Sequence, residues 1–173
     1  MKRNLVFVIV LLFAISLLGC SPSKDKKPEG EPGIIGYVTA IENGRILVIS
    51  TEAQDFSANG GVNEFYDAIW FSNVPKDIKL GDRVRVWYDM VAESYPGQSE
   101  ALHVELFPRV KPEAANLTES DALHRALTSE ELTTKENTVV IKKIEYNLDY
   151  DQWEILLKSL WDDKTYDINI EDK

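Results

Sequence analysis

The chain has 173 residues, with 19 basic and 29 acidic side chains, a formal charge of −10 at neutral pH and a single cysteine. Nucleic-acid binding needs clustered Lys and Arg to displace counterions, so this balance argues against a nucleic-acid partner, and one thiol cannot build an internal disulfide framework. Stability has to come from packing, for which four Trp, seven Tyr and six Phe supply bulky apolar surface.

Along the chain the first feature is Leu5 to Leu18, apolar except for Ser16, preceded by Lys2 and Arg3 and ending Leu17-Leu18-Gly19-Cys20. That run is too short for a spanning helix, which needs ~20 apolar residues; a positive start and a short apolar stretch are the pattern of a signal peptide. Its ending resembles the lipobox of bacterial lipoproteins. The resemblance implies diacylglycerol transfer to the Cys20 sulfur, cleavage after Gly19, and a chain held by acyl groups on the extracytoplasmic face of the cell membrane. Residue 18 is Leu where the lipobox more often has a smaller residue. Loss of Lys2 and Arg3 with residues 1–19 takes the formal charge to −12.

Residues 21–33 contain no hydrophobic side chain and are rich in Pro, Gly and charge. Such a segment cannot repay the entropy of ordering, so residues 20–33 read as a disordered tether of ~20 Å end-to-end distance.

From Ile34 the texture becomes that of short strands. Ile34–Ile41 and Arg45–Ser50 flank Asn43-Gly44, the strongest short hairpin signal because both residues tolerate positive φ. Residues 52–64 read as a loop, Phe65–Phe71 as a third strand, Arg83–Tyr88 as a fourth with Val84, Val86 and Tyr88 on one face, Ala92–Ser99 as a loop, and Ala101–Phe107 as a fifth strand. Closely spaced short strands with no helix between them predict a small antiparallel OB-like barrel over residues 34–111, with an SH3-like barrel or small sandwich as alternatives.

Ile35-Gly36-Tyr37-Val38, Ala68-Ile69-Trp70-Phe71-Ser72, Leu80-Gly81-Asp82-Arg83-Val84-Arg85-Val86-Trp87 and above all Glu93-Ser94-Tyr95-Pro96-Gly97-Gln98 resemble the YobA-like small lipoproteins of Gram-positive bacilli. The resemblance spans residues 34–107 and implies a lipoprotein with an OB-like barrel; it supplies no activity.

Beyond Pro108 the pattern changes. Thr118 with Asp121 three residues on is a capping-box-like helix start, and Ala122, Leu123, Ala126 and Leu127 form one apolar face. Thr138–Tyr146, Gln152–Trp161 and Thr165–Ile170 follow as strands; in the last, Tyr166, Ile168 and Ile170 alternate with polar residues, as in a half-buried strand. The expected fold class is therefore mainly β, with a helix plus three-stranded antiparallel meander over residues 112–173. Helix Leu117–Leu127, Ile144-Glu145-Tyr146, Trp153-Glu154-Ile155 and Lys164–Asp172 resemble the PepSY domain, although Asp163-Lys164 stands where that family has a Gly. This resemblance implies an envelope module that restrains peptidases or makes protein contacts.

Chemistry is sparse. His103 and His124 lie on different predicted elements, too few for a metal site, and no nucleophile elbow, phosphate loop or metalloprotease helix occurs. Asn147, Asp149 and Asp151 alternate, but the EF-hand positions for Gly and Glu hold Gln152 and Lys158, which leaves a solvated turn. No enzyme activity, metal or cofactor is expected. One constellation remains: Trp70 and Trp87, on strands expected to be neighbours, flank the loop carrying Tyr95, Pro96 and Gln98 as a recognition surface, although large aromatics in a small β domain usually fill the core. The sequence thus predicts a non-enzymatic protein, membrane-bound through lipidated Cys20, that binds a protein, peptide or glycan partner; the alternative is a regulator of an envelope peptidase acting through the C-terminal unit.

Overall fold

The computed structural model describes residues 27–132 and 138–173; the apolar leader and Cys20 lie outside the described residues. Strands β1 (Ile34–Glu42) and β2 (Arg45–Ser50) form the expected hairpin, turning through Asn43 and Gly44 at φ of 51° and 75°. β3 (Ala68–Ser72), β4 (Arg83–Trp87), β5 (Gly97–Glu100) and β6 (His103–Leu106) complete a sheet in the order β5-β3-β2-β1-β4-β6.

Its two edge strands are separated in sequence only by Ala101 and Leu102. The Ala101 N–H donates to the Ser72 carbonyl (3.0 Å) and the Leu102 N–H to the Trp87 carbonyl (2.8 Å). One kinked segment therefore binds both edges, closing the sheet as an OB-like barrel filled by Ile34, Val38, Ile46, Val48, Ile69, Phe71, Val84 and Val86.

The structure corrects four expectations. Residues 97–100 are not loop but a strand, and it runs parallel to β3, so the barrel is not wholly antiparallel. Gly97-Gln98-Ser99-Glu100 pairs through its backbone and carries no apolar alternation to announce itself. The third strand begins at Ala68, while Phe65 makes only an isolated bridge to Gln54. The tether also ends sooner than expected: the Trp87 Nε1–H donates to the Gly30 carbonyl (3.0 Å), the Gly33 N–H donates to the Val86 carbonyl (3.0 Å), and Lys27 pairs with Glu105 at 3.0 Å. Residues 27–33 are laid on the barrel through their own backbone groups and an ion pair, which a polar composition does not forbid.

After the barrel, helix α1 (Glu119–Leu127) starts with a full capping box, the Thr118 hydroxyl accepting from the Asp121 N–H and the Asp121 carboxylate accepting from the Thr118 N–H. Strands β7 (Val139–Asn147), β8 (Gln152–Ser159) and β9 (Thr165–Glu171) form an antiparallel meander in that order. The helix covers one sheet face, burying Leu123 and Leu127 against Ile155, Leu157 and Ile168. No helix among the described residues is long and apolar enough to cross a membrane.

The barrel and the helix–meander unit interlock. β2 reads as a continuous apolar run because both faces are buried: Ile46 and Val48 point into the barrel, and Leu47 and Ile49 point out against Val140 of β7. Bulges make this possible on both sides. One in β1 between Val38 and Ala40 sends Ala40 outward to the same cluster, and one in β7 between Ile141 and Lys143 returns Ile144 to the helix side while Val140 faces the barrel. Tyr37 of β1 is buried among the helix and meander side chains, and its hydroxyl donates to Glu119 at 2.5 Å. Fully buried Asp82, just before β4, accepts two bonds from Arg109 (2.8 and 2.9 Å), one from the Ser120 hydroxyl (2.7 Å) and one from the Lys79 N–H (2.8 Å).

Candidate functional site

Where the interlocked sheets part, they leave an open cleft of about 530 Å³. The barrel side supplies residues 62–66 and Tyr95; the meander side supplies residues 158–163 at the end of β8 and the following turn. A volume of this size lies within the ~300–1,000 Å³ of small-ligand sites.

Three of its lining rings, Phe65, Tyr95 and Trp161, touch in series, and Phe56 extends the series beyond the cleft. Phe56 meets Phe65 edge-on at 5.6 Å, Phe65 meets Tyr95 at 5.3 Å, and Tyr95 meets Trp161 at 5.6 Å with the ring planes 81° apart. Trp161 is 54% exposed and Tyr95 38%. The polar atom of each ring is engaged by the protein: the Tyr95 hydroxyl donates to the Tyr66 carbonyl (2.8 Å), and the Trp161 Nε1–H donates to the Thr138 hydroxyl (2.7 Å). Partial burial, with the Asp67 charge as a smaller cause, pushes the Tyr95 hydroxyl up to about 12, so it stays protonated.

The same cleft holds an ionic clamp. Glu64 accepts from Lys142, from Lys158 (2.6 Å) and from the Tyr66 hydroxyl (2.6 Å). Those hydrogen bonds, Lys142 and Lys158 foremost, hold the Glu64 carboxyl at about 2. Lys142 is the residue at the β7 bulge, which turns its side chain toward the barrel. Lys158 also meets Asp163 at 3.3 Å.

The residues expected to make a recognition surface are dispersed. Trp70 and Trp87 are not on neighbouring strands, because β2 and β1 lie between β3 and β4. Trp87 is buried, with His103 edge-on to it at 5.4 Å and Lys27 over its ring, and it anchors residues 27–33. Trp70 packs on the barrel's outer face beside Leu160 with Arg45 over its ring, and Gln98 lies opposite it in β5. Pro96 follows Tyr95 through a cis peptide bond, and its carbonyl accepts from the Ser94 hydroxyl at 2.9 Å. Of that set only Tyr95 lines the cleft.

The cleft also holds Phe65, Glu64, Lys158 and Trp161, which lie outside the expected surface. A signal existed in Val139-Val140-Ile141, three consecutive apolar residues near the start of the expected strand Thr138–Tyr146. Such a run implies a second covered face and hence a seam. Among the described residues no group of three or more His, Cys, Asp or Glu is placed to hold a metal ion. Asn147 instead caps its own turn, its side chain accepting from the Asp149 N–H at 3.0 Å.

Residues 35–107 match the family described as a protein of unknown function, DUF3221. The DUF3221 match ends at the barrel, so it includes Glu64, Phe65 and Tyr95 and stops before Lys142, Lys158 and Trp161. The uncharacterized protein YobA of Bacillus subtilis (strain 168) is 26% identical over 117 residues, 61% of this chain and 98% of that protein. The NMR solution structure of B. subtilis YobA residues 21–120 is 19% identical, covering 50% of this chain and 92% of that one, with a TM-score of 0.32. A crystal structure of YobA from the same species is 21% identical, covering 47% of this chain and all of that one, also at a TM-score of 0.32.

Proposed function

We propose that this chain is a non-enzymatic, lipid-anchored protein of the cell envelope that captures a partner in the cleft between barrel and meander. The observation that carries this reading is the exposed corner made by Tyr95 and Trp161. Large aromatics with one polar atom satisfied by the protein and the ring faces open to solvent are typical anchors of binding surfaces. A binding role also suits the ionisable groups. Glu64, held at about 2 by two ammoniums, is a poor general base at neutral pH, and Tyr95 near 12 is a poor acid.

The anchor rests on the lipobox-like Leu17-Leu18-Gly19-Cys20 ending. Two acyl chains on Cys20 are enough for stable membrane attachment, and local concentration at a surface strengthens weak binding. The meander supplies Lys158 and Trp161 to the same cleft as Tyr95, so the C-terminal unit is one wall of the site.

Affinity capture from membranes with the unaltered chain and with Trp161→Ala tests the reading. Loss of the captured partner from the variant is the expected result, and undiminished capture contradicts it. In parallel, Cys20→Ala should move the protein from the membrane fraction to the soluble one.

A further inference from the structure

We propose that the cleft selects a basic segment of its partner, seating an Arg or Lys side chain against the Tyr95 and Trp161 rings with the Asp162 and Asp163 carboxylates beside it. This rests on the binding reading above and names the chemistry of its ligand.

Tyr95 and Trp161 meet at 81°, so their faces form two walls of a corner. Since the hydroxyl and the indole N–H already donate within the protein, a ligand in the corner meets ring faces, whose negative quadrupole attracts cations. The charges around the corner have the matching sign. Glu64, Asp162 and Asp163 line the cleft against one lining ammonium, Lys158, and both Lys158 and Lys142 are committed to Glu64. Asp163 has one oxygen 3.3 Å from Lys158, and Asp162 accepts the Lys164 backbone N–H at 3.1 Å; both side chains are exposed. The chain's excess of acidic over basic side chains, 29 against 19, attracts a basic segment to the molecule as a whole. Arginine, planar and weakly hydrated, fits a ring-lined corner better than lysine. A neutral glycan would stack on the same rings without using the carboxylates, and the test separates the two.

The full chain in detergent micelles is titrated with capped tri-arginine, capped tri-citrulline and chitohexaose, followed by calorimetry. Tri-arginine is expected to bind about tenfold tighter than its neutral isostere, weakening as salt is raised. Trp161→Ala should weaken it about tenfold, and the exposed pair Asp162→Asn with Asp163→Asn should do likewise without touching any buried contact. Tri-citrulline or chitohexaose binding as tightly as tri-arginine, or tri-arginine binding indifferent to these variants, overturns the basic-ligand inference alone, provided partner capture still depends on Trp161. No saturable binding of any probe, together with capture that ignores Trp161→Ala, overturns the cleft reading as well.

Discussion

Tyr95, just before β5 of the barrel, and Trp161, just after β8 of the meander, meet edge to face at 5.6 Å, although 66 positions separate them. Each ring is pinned by a bond within the described chain, Tyr95 to the Tyr66 carbonyl and Trp161 to the Thr138 hydroxyl. The contact therefore exists only while the two sheets are docked, and whatever holds the docking also holds the site.

Asp82 is the most concentrated of those holds. Burial would raise its carboxyl, but hydrogen bonds from Arg109, Ser120 and the Lys79 N–H outweigh burial and keep it below the ordinary carboxylate value. Asp82→Asn leaves Arg109 without its counter-charge and is expected to cost about 3 kcal/mol. In a chain of this size that corresponds to a fall of about 10 °C in melting temperature, measurable by circular dichroism.

Acid should loosen the Glu64 clamp in a defined window. A carboxylate whose folded pKa is depressed stabilises the protein above its unfolded value, and the contribution fades as pH drops through the folded value. For Glu64 this places the loss between about 4.5 and about 2. With partly exposed partners the clamp contributes only about 1 kcal/mol at pH 7. Thermal unfolding of the unaltered chain and Glu64→Gln at pH 7, 4.5 and 2.5 should show a gap that changes little between the first two and is mostly lost at the third.

Gly81 is irreplaceable for two reasons at once. Its φ is +88°, and a Cβ there would lie 2.6 Å from the Ser120 carbonyl and 2.9 Å from the His124 nitrogen, backbone atoms of α1. Gly81→Ala therefore strains the turn and pushes the helix from the barrel. Denaturant unfolding should show a loss of about 2 kcal/mol or more, with the barrel and helix unable to re-dock.

Cutting the chain after Pro112 should not release a stable barrel. Tyr37, Ala40, Leu47 and Ile49 are buried by helix and meander side chains and would become solvent-exposed. At roughly 1.5–3 kcal/mol for each large apolar side chain, that loss rivals the whole stability of a small domain. Limited proteolysis should degrade the fragment faster than the intact chain; equal resistance contradicts the interlock.

How much of this was legible depended on whether a feature left a local pattern. The Asn43-Gly44 hairpin, the Thr118 cap, and the Tyr166, Ile168 and Ile170 alternation follow from single-residue φ tolerance, side-chain bonding and period, and the structure has all three. β5 was not legible, because a short polar strand pairs through its backbone alone. Trp87 drew attention as an aromatic, yet its ring and N–H are used to fasten residues 27–33. Trp161 reads as a strand end, since its meaning depends on Tyr95, a long-range neighbour that no local period encodes. The bulge at Lys142 was equally silent, although it aims the side chain that clamps Glu64.

The central claim, that partners enter the corner between Tyr95 and Trp161, is tested most directly by site-specific photocrosslinking in cells. A photoreactive amino acid is placed in turn at positions 95, 161, 70 and 87 of the full chain, and adducts are resolved by mass. The account predicts one common partner crosslinked from positions 95 and 161 and none from buried position 87. A partner crosslinked from position 70 but not from 95 or 161 would place recognition on the barrel's outer face and contradict it.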